Sequence, residues 1–228
     1  MIFNKFFILF KIGRKIGKSN IINIVSETHK IPVFVKLFFN LLAFSFSSSN
    51  NTKSKGKENL SESIQEMGTT FIKLGQFLAT RPDIIGEKLS KELESLQDKL
   101  PPFSKKEAEK IIIENLGQSN FDDIIDLSEP IAAASIAQVH KAKIKEDNII
   151  KNVAIKVLRP NIKKIFNDEI DAIMLLAYIV ESLISKTKRL KLIEVVFLFK
   201  EITNHEMDLR FEAAAANEYA ENLSLIHI

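Results

Sequence analysis

The 228-residue sequence contains no cysteine. That excludes disulfides and thiolate-held metals, and it fits a reducing compartment without requiring one. The four histidines, His29, His140, His205 and His227, are too scattered along the chain for a metal site. No G-x-G-x-x-G occurs, so flavin or nicotinamide binding has no support. No Ser/His/Asp arrangement suggests a nucleophilic triad. Long hydrophobic runs are missing too. Ile2–Phe10 is apolar, but Lys5 interrupts it and no small-residue cleavage site follows, which argues against a secretory signal. Ile31–Phe46 contains Lys36 and falls short of the roughly 20 residues a membrane span needs. No internal repeat is visible.

What is present is ordinary in bulk and uneven in detail. Hydrophobic content is 46% and charged content 27%, as in a globular protein. Acids are nearly absent from the front. Residues 1–57 carry nine Lys and one Arg against the single Glu27, a charge of +9, so the rest must carry −6 to reach the total of +3. A basic, apolar front on an acidic body suggests an anionic surface as partner. The cations interleave with Phe3, Phe6, Phe7, Ile8, Leu9 and Phe10, a pattern of interfacial helices. Membrane lipid is therefore the expected partner, held peripherally, and nucleic acid is not. The alternative is a solvated helix that packs on another part of the protein.

Residues 48–59 are polar and read as a linker. Ile64, Met67, Phe71, Leu74 and Leu78 recur at helical spacing, which predicts a helix from Leu60 to about Ala79, ended before Pro82. A second helix is expected over Ile85–Leu96. After the Pro101-Pro102 break, Ser104 and Glu107 form a capping box that starts a third helix, ending near Gly117. Two strands follow. One lies within Ile131–Ile144, which carries an alanine run and then alternation through Val139, Ala142 and Ile144. The other is Asn152–Leu158, closed by Arg159-Pro160. A long helix over Ile162–Ile184, a basic link Ser185–Lys191 and a last helix over Leu192–Asn222 complete the chain. The fold class is α+β, mostly helical with a small antiparallel sheet.

Val153-Ala154-Ile155-Lys156 is the setting in which protein kinases place the strand lysine that holds the α- and β-phosphates of ATP. Phosphoryl transfer depends on positioning and electrostatics, which suits a cation fixed on a rigid strand. A lysine on a strand edge is also a common surface device. The stretch in the place of a phosphate-covering loop, Pro130–His140, contains Ala132, Ala133, Ala134 and Ser135 and no glycine. Such a loop can present backbone N–H groups, but it cannot readily adopt positive φ and should be stiff.

From Leu60 to Asn222 the sequence resembles the UbiB family of atypical kinase-like proteins, associated with ubiquinone biosynthesis. Four blocks carry the resemblance. They are Lys73-Leu74-Gly75-Gln76, with Thr80-Arg81-Pro82-Asp83 and Leu96-Gln97-Asp98 after it; the alanine loop running into Gln138-Val139-His140; Lys156 with Arg159-Pro160; and Glu206-Met207-Asp208 with Glu212-Ala213-Ala214. The resemblance implies an N-terminal helical extension and the N-lobe of a kinase-like fold. It implies ATP on Ala132–Ser135 and Lys156, with Glu212 as the ion-pair partner of Lys156 and Glu206 as the alternative. It also implies that Lys73 and Gln76, on one helix face, meet the acidic pair Glu206 and Asp208. Such a cover would obstruct a protein substrate, so the family looks more like an ATPase or small-molecule kinase. Gly75 would let another backbone come close. Asp208 and Glu212, at i and i+4, would share a face of the last helix.

These readings divide the chain into 1–57, a basic apolar segment; 58–125, the helical extension with the Lys73–Gln76 block; 126–222, the N-lobe; and 223–228. The last six residues depart from the family pattern and match the end of a sequencing adapter, so an artefactual tail is expected there. No catalytic Asp and Asn and no D-F-G-like Asp follow Glu212. The expectation is a chain that ends before the C-lobe, with the Mg²⁺ ligands implied by the family in that missing lobe, no metal ligand here, and little catalysis by the chain alone. The resemblance further implies quinone precursors and other ubiquinone-biosynthesis proteins as partners, a possible homodimer, and the cytoplasmic face of a bacterial inner membrane, with attachment peripheral or through the missing C-terminal segments. The rival is a lipid- or partner-binding pseudokinase.

Overall fold

The computed structural model describes residues 2–18, 21–28, 60–98, 100–146 and 149–225. The apolar stretch 31–46, the linker 48–59 and the last residues of the tail, 226–228, lie outside them. The chain divides into two compact units that cut across its linear order: residues 1–98 with 164–200, and residues 99–163 with 201–228.

The first unit is helical. Its elements are α1 (Ile2–Lys18), α2 (Ile21–Thr28), α3 (Leu60–Met67), α4 (Thr69–Ala79), α5 (Pro82–Ile85) and α6 (Glu87–Glu94), with most of α9 (Ile162–Leu183), a 3₁₀ turn (Ser185–Leu190) and the start of α10 (Leu192–Glu206). Ile12 of α1 is buried with Met67, Phe71 and Ala172. Leu60, Leu89 and Leu93 form a second cluster. Phe199 packs against Phe77 and edge-on to Phe166, with ring centroids 5.6 and 5.7 Å apart. The single helix expected over Leu60–Ala79 is two. Gly68 takes φ +102°, outside the helical region, and separates α3 from α4. The helix expected over Ile85–Leu96 is likewise shorter, because Gly86 at φ +83° divides α5 from α6.

The second unit is built on a three-stranded antiparallel sheet in the order β1 (Ile124–Ala133), β2 (Ala137–Glu146), β3 (Ile149–Leu158). It also holds α7 (Lys105–Leu116), α8 (Gln118–Asp122), the end of α10 and α11 (Leu209–Leu225). Ser104 caps α7 as its capping box predicts: its side chain accepts from Glu107 N at 3.3 Å. One face of the sheet is covered. Leu127, Ala142 and Val157 are buried with Ala108 and Ile112 of α7, and Val153 and Ile155 flank them. Burying Ile112, Leu127 and Val157 contributes about 1.5–3 kcal/mol each, enough to hold α7 against the sheet.

Two sequence expectations fail in this unit. The strand β1 was not foreseen. Its register shifts at three places and Pro130 lies within it, so the period-2 signal is broken. The last helix is two helices rather than one over Leu192–Asn222. The chain breaks at Met207 and Asp208, with Met207 buried beneath the turn.

Candidate functional site: a strand lysine, a helix glutamate and an alanine loop

Alternation along β3 decides where its lysine goes. Val153, Ile155 and Val157 face the α7 core, so Ala154 and Lys156 face the other way. Register places Ala132 of β1 opposite Val139 of β2, and Val139 opposite Lys156. Directly paired residues share a sheet face, so Ala132, Val139 and Lys156 form one row across the strands. Val139 stands between Ala132 and Lys156 in that row.

Lys156 Nζ donates to Glu212 Oε2 of α11 at 2.6 Å, across 56 residues of sequence. Of the two candidate partners, Glu206 and Glu212, the ion pair given to Lys156 is with Glu212. The two side chains are 36% and 59% exposed, so the pair stands open to solvent and to a ligand. An exposed pair of this kind contributes at most about 1 kcal/mol. Its value is positional: it fixes an ammonium above a rigid strand.

The turn between β1 and β2 is the alanine loop. Ala132 and Ala133 end β1; Ala134, Ser135 and Ile136 make the turn. Among the described residues positive φ outside glycine occurs only at Asn161 and Lys191. The loop thus turns without the left-handed conformations that alanine resists. It is also tied down. Ala134 N donates to Ala137 O at 2.8 Å, and Arg159 N donates to Ile136 O at 2.9 Å.

The other predicted residues fall in different places. Glu206 is exposed and ends α10, in the second unit. Asp208 precedes α11 instead of sharing a helix face with Glu212. Its Oδ1 accepts from the backbone N–H of Arg210 at 3.2 Å and from Arg210 Nε at 2.8 Å. The Arg210 guanidinium holds the Asp208 carboxyl well below its ordinary value, at about 2, and the nearby charge of Lys163 adds to this. Lys73 and Gln76 lie on α4 in the first unit. Lys73 is 8% exposed and donates to Asp98 Oδ2 at 3.4 Å; Gln76 is half-buried. Gly75 admits side chains and not a backbone. A Cβ there would stand 2.7 Å from Leu96 Cδ2 and 3.4 Å from Ile64 Cγ2.

Three residues quoted in the motifs but not in the site prove central to the unit, the buried pair Gln138 and His140 and then Arg159. Gln138 is 1% exposed. It pairs twice with the backbone of Phe103, accepting from N at 2.9 Å and donating to O at 3.1 Å. His140 Nδ1 faces the Ser128 carbonyl at 2.8 Å and so must donate, which leaves Nε2 to accept from Gln138 Nε2 at 2.9 Å. The signal was available: Gln138 and His140 occupy core-side positions of an alternating strand, where polar atoms must find partners. The third residue is Arg159, which follows β3. It grips the alanine loop and the Leu100-Pro101 backbone together.

Among the described residues no group of His, Asp or Glu could hold a metal ion, and the Asp208 carboxylate is engaged by Arg210. The described residues offer a half-exposed cation, Lys156, on the strand that follows the alanine loop and β2, a donor suited to a phosphate.

Residues 95–227 match the ABC1 atypical kinase-like domain. The chain is 36% identical over 203 residues to "Probable protein kinase UbiB" of Marinobacter nauticus, covering 87% of this chain and 36% of that protein. It is 32% identical over 216 residues to the protein of the same name in Pseudomonas paraeruginosa, covering 94% and 40%, and 34% identical over 193 residues to that of Cellvibrio japonicus, covering 84% and 34%. The chain thus spans 34–40% of the length of these curated relatives. A kinase-like sheet with its strand lysine paired to a helix glutamate, the alanine loop in place of glycines, and these matches agree: the chain belongs to the UbiB family of atypical kinase-like proteins.

Proposed function

We propose that this chain supplies the nucleotide-holding part of an ATP-binding atypical kinase or ATPase that supports ubiquinone biosynthesis. The observation that carries this reading is the Lys156–Glu212 pair at 2.6 Å. A phosphate-binding lysine needs a fixed position and a ligand-accessible face, and strand β3 and Glu212 provide both. ATP, when bound, supplies the phosphoryl group. The part of this chain is to hold the α- and β-phosphates at Lys156 Nζ and to cover them with Ala132–Ser135. No magnesium step is assigned to these residues, and the readout that tests their role is nucleotide binding. The names of the relatives support the kinase class.

The test is equilibrium binding of a fluorescent ATP analogue to the 228-residue chain. Losing an ammonium–phosphate interaction worth about 1.5–3 kcal/mol should weaken binding roughly ten-fold or more in Lys156→Ala. Glu212→Gln should weaken it by less, because the lysine remains and only its position is relaxed. Equal affinity in wild type and Lys156→Ala, or none in the wild type, overturns the proposal.

A further inference from the structure

The turn that joins α9 to α10 is one-sided in charge. Residues 185–191 contain Lys186, Lys188, Arg189 and Lys191 and no acid. The turn is also firmly built. Thr187 Oγ1 donates to Ile184 O at 2.7 Å and stands 3.3 Å from Val180 O, which closes the end of α9. Lys191 takes φ +48° where the chain enters α10, and its Nζ pairs with Glu194 at 3.0 Å. Glu181 Oε1 accepts from Ile193 N at 3.0 Å and ties α10 back to α9. Two cations are left over. Lys188 and Arg189 are exposed, and neither has a carboxylate partner among the described residues.

Apolar side chains, not acids, surround these cations. Leu183 is 78% exposed, and Ile179, one turn earlier on the same stripe of α9, is exposed as well. Phe197, in the second turn of α10, is also exposed. A leucine left in water gains nothing from folding, and a cluster of such residues marks a contact surface. The start of α1 points to the same end of the unit. Lys15 Nζ lies 3.8 Å from Glu169 Oε1, and Ile12 shares a buried cluster with Ala172. Steps back along α1 therefore match steps forward along α9. The exposed Phe7 and Lys11 repeat the chemistry of the turn in that direction.

Charge chooses the occupant. A second copy docked here in a two-fold contact would bring Lys188 and Arg189 against themselves. An anionic bilayer surface accepts both parts at once: the cations meet lipid phosphate, and the leucine enters the acyl boundary. Neither α9 nor α10 is long and apolar enough to cross a membrane, so the contact is interfacial.

We propose that the α9–α10 turn is a docking site for an anionic lipid surface: Lys188 and Arg189 bind headgroup phosphate, and Leu183 inserts beside them. Neither role depends on a nucleotide.

The chain contains no tryptophan, so Leu183→Trp in the full 228-residue chain carries a fluorophore at the turn alone. Its emission is followed with phosphatidylcholine vesicles, with the same vesicles containing phosphatidylglycerol, and with glycerol phosphate free in solution. The expected result is a blue shift, and quenching by brominated acyl chains, with the anionic vesicles only. In co-sedimentation, Lys188→Gln with Arg189→Gln should weaken binding to anionic vesicles about ten-fold or more, the loss expected of two basic residues at such a surface. Both side chains are exposed, so the melting temperature should not change. If Leu183→Trp does not fold, Leu183→Ser decides by co-sedimentation, with a loss of about ten-fold. Vesicles that bind the chain without shifting the tryptophan would put the contact elsewhere and overturn the proposal. So would a shift that follows protein concentration without lipid, which is a contact between copies, or a shift with glycerol phosphate alone, which is a small-anion site. Undiminished binding by the Lys188→Gln, Arg189→Gln chain, or no binding of anionic vesicles by the wild type, overturns it as well.

Discussion

Asp208 is shaped by the residue two positions after it. The Arg210 side chain is the main cause of its low pKa; partial burial opposes this, while the Arg210 backbone N–H and the charges of Arg210 and Lys163 assist. A carboxyl depressed from 3.8 to about 2 binds fewer protons folded than unfolded. Its contribution to stability is therefore fully present above pH 3.8 and is lost as pH falls through about 2. Titration of the Asp208 carboxyl carbon by NMR should give a midpoint near 2, and Arg210→Gln should move it back toward 3.8. A wild-type midpoint near 3.8 would remove the pairing. The Asp208–Arg210 contact was not legible in the sequence. It depends on a helix break at Met207 and Asp208, which apolar spacing does not reveal. The meeting of Lys156 and Glu212 was legible through the family resemblance, which implies a helix glutamate for the strand lysine and puts Glu212 ahead of Glu206.

Among the elements, the helices were readable by period and their interruptions were not. The run of apolar residues from Ile64 to Leu78 keeps its spacing across Gly68, so periodicity alone sees one helix. Gly68 takes φ +102° and ψ −176°, a region essentially closed to other residues. A Cβ added there meets nothing within 4 Å. The cost of Gly68→Ala is therefore purely conformational, about 1–3 kcal/mol. A chemical denaturation midpoint should fall accordingly, with an unchanged m-value. An alanine variant as stable as the wild type would mean that α3 and α4 run on as one helix. The alanine loop shows the opposite case. Its composition states its geometry, because a turn without glycine must avoid positive φ, and Ala132–Ile136 does so. The strand before it was hidden by Pro130 and three register shifts, which erase the alternation that betrays β2 and β3.

At the scale of the whole molecule, charge is the feature that packing does not explain. The +9 of residues 1–57 is carried in part by α1, which belongs to the first unit. Ile8, Ile12 and Ile16 form the inward stripe of α1, against Met67 and Phe71. The outward stripe holds Phe7, 67% exposed, Phe10, 39% exposed, and the exposed Lys11. Phenylalanine beside lysine on the outer face of a packed helix suits the boundary between lipid headgroups and acyl chains, where the ring is buried and the ammonium meets phosphate. No helix among the described residues is long and apolar enough to cross a membrane, so any attachment through α1 lies in the interface. On this reading the chain co-sediments with vesicles containing anionic lipid and much less with neutral ones. Phe7→Ser with Phe10→Ser should weaken vesicle binding about ten-fold, since each buried ring contributes about 1.5–3 kcal/mol and is only partly inserted. Both side chains point away from the Ile12 cluster, so the melting temperature should stay unchanged. Raising salt toward 1 M shrinks the screening length to about 3 Å and should remove the preference for anionic lipid while sparing the aromatic part. Equal binding by wild type and the double variant at low salt would return α1 to the role of a solvated helix whose only function is to cover Met67 and Phe71.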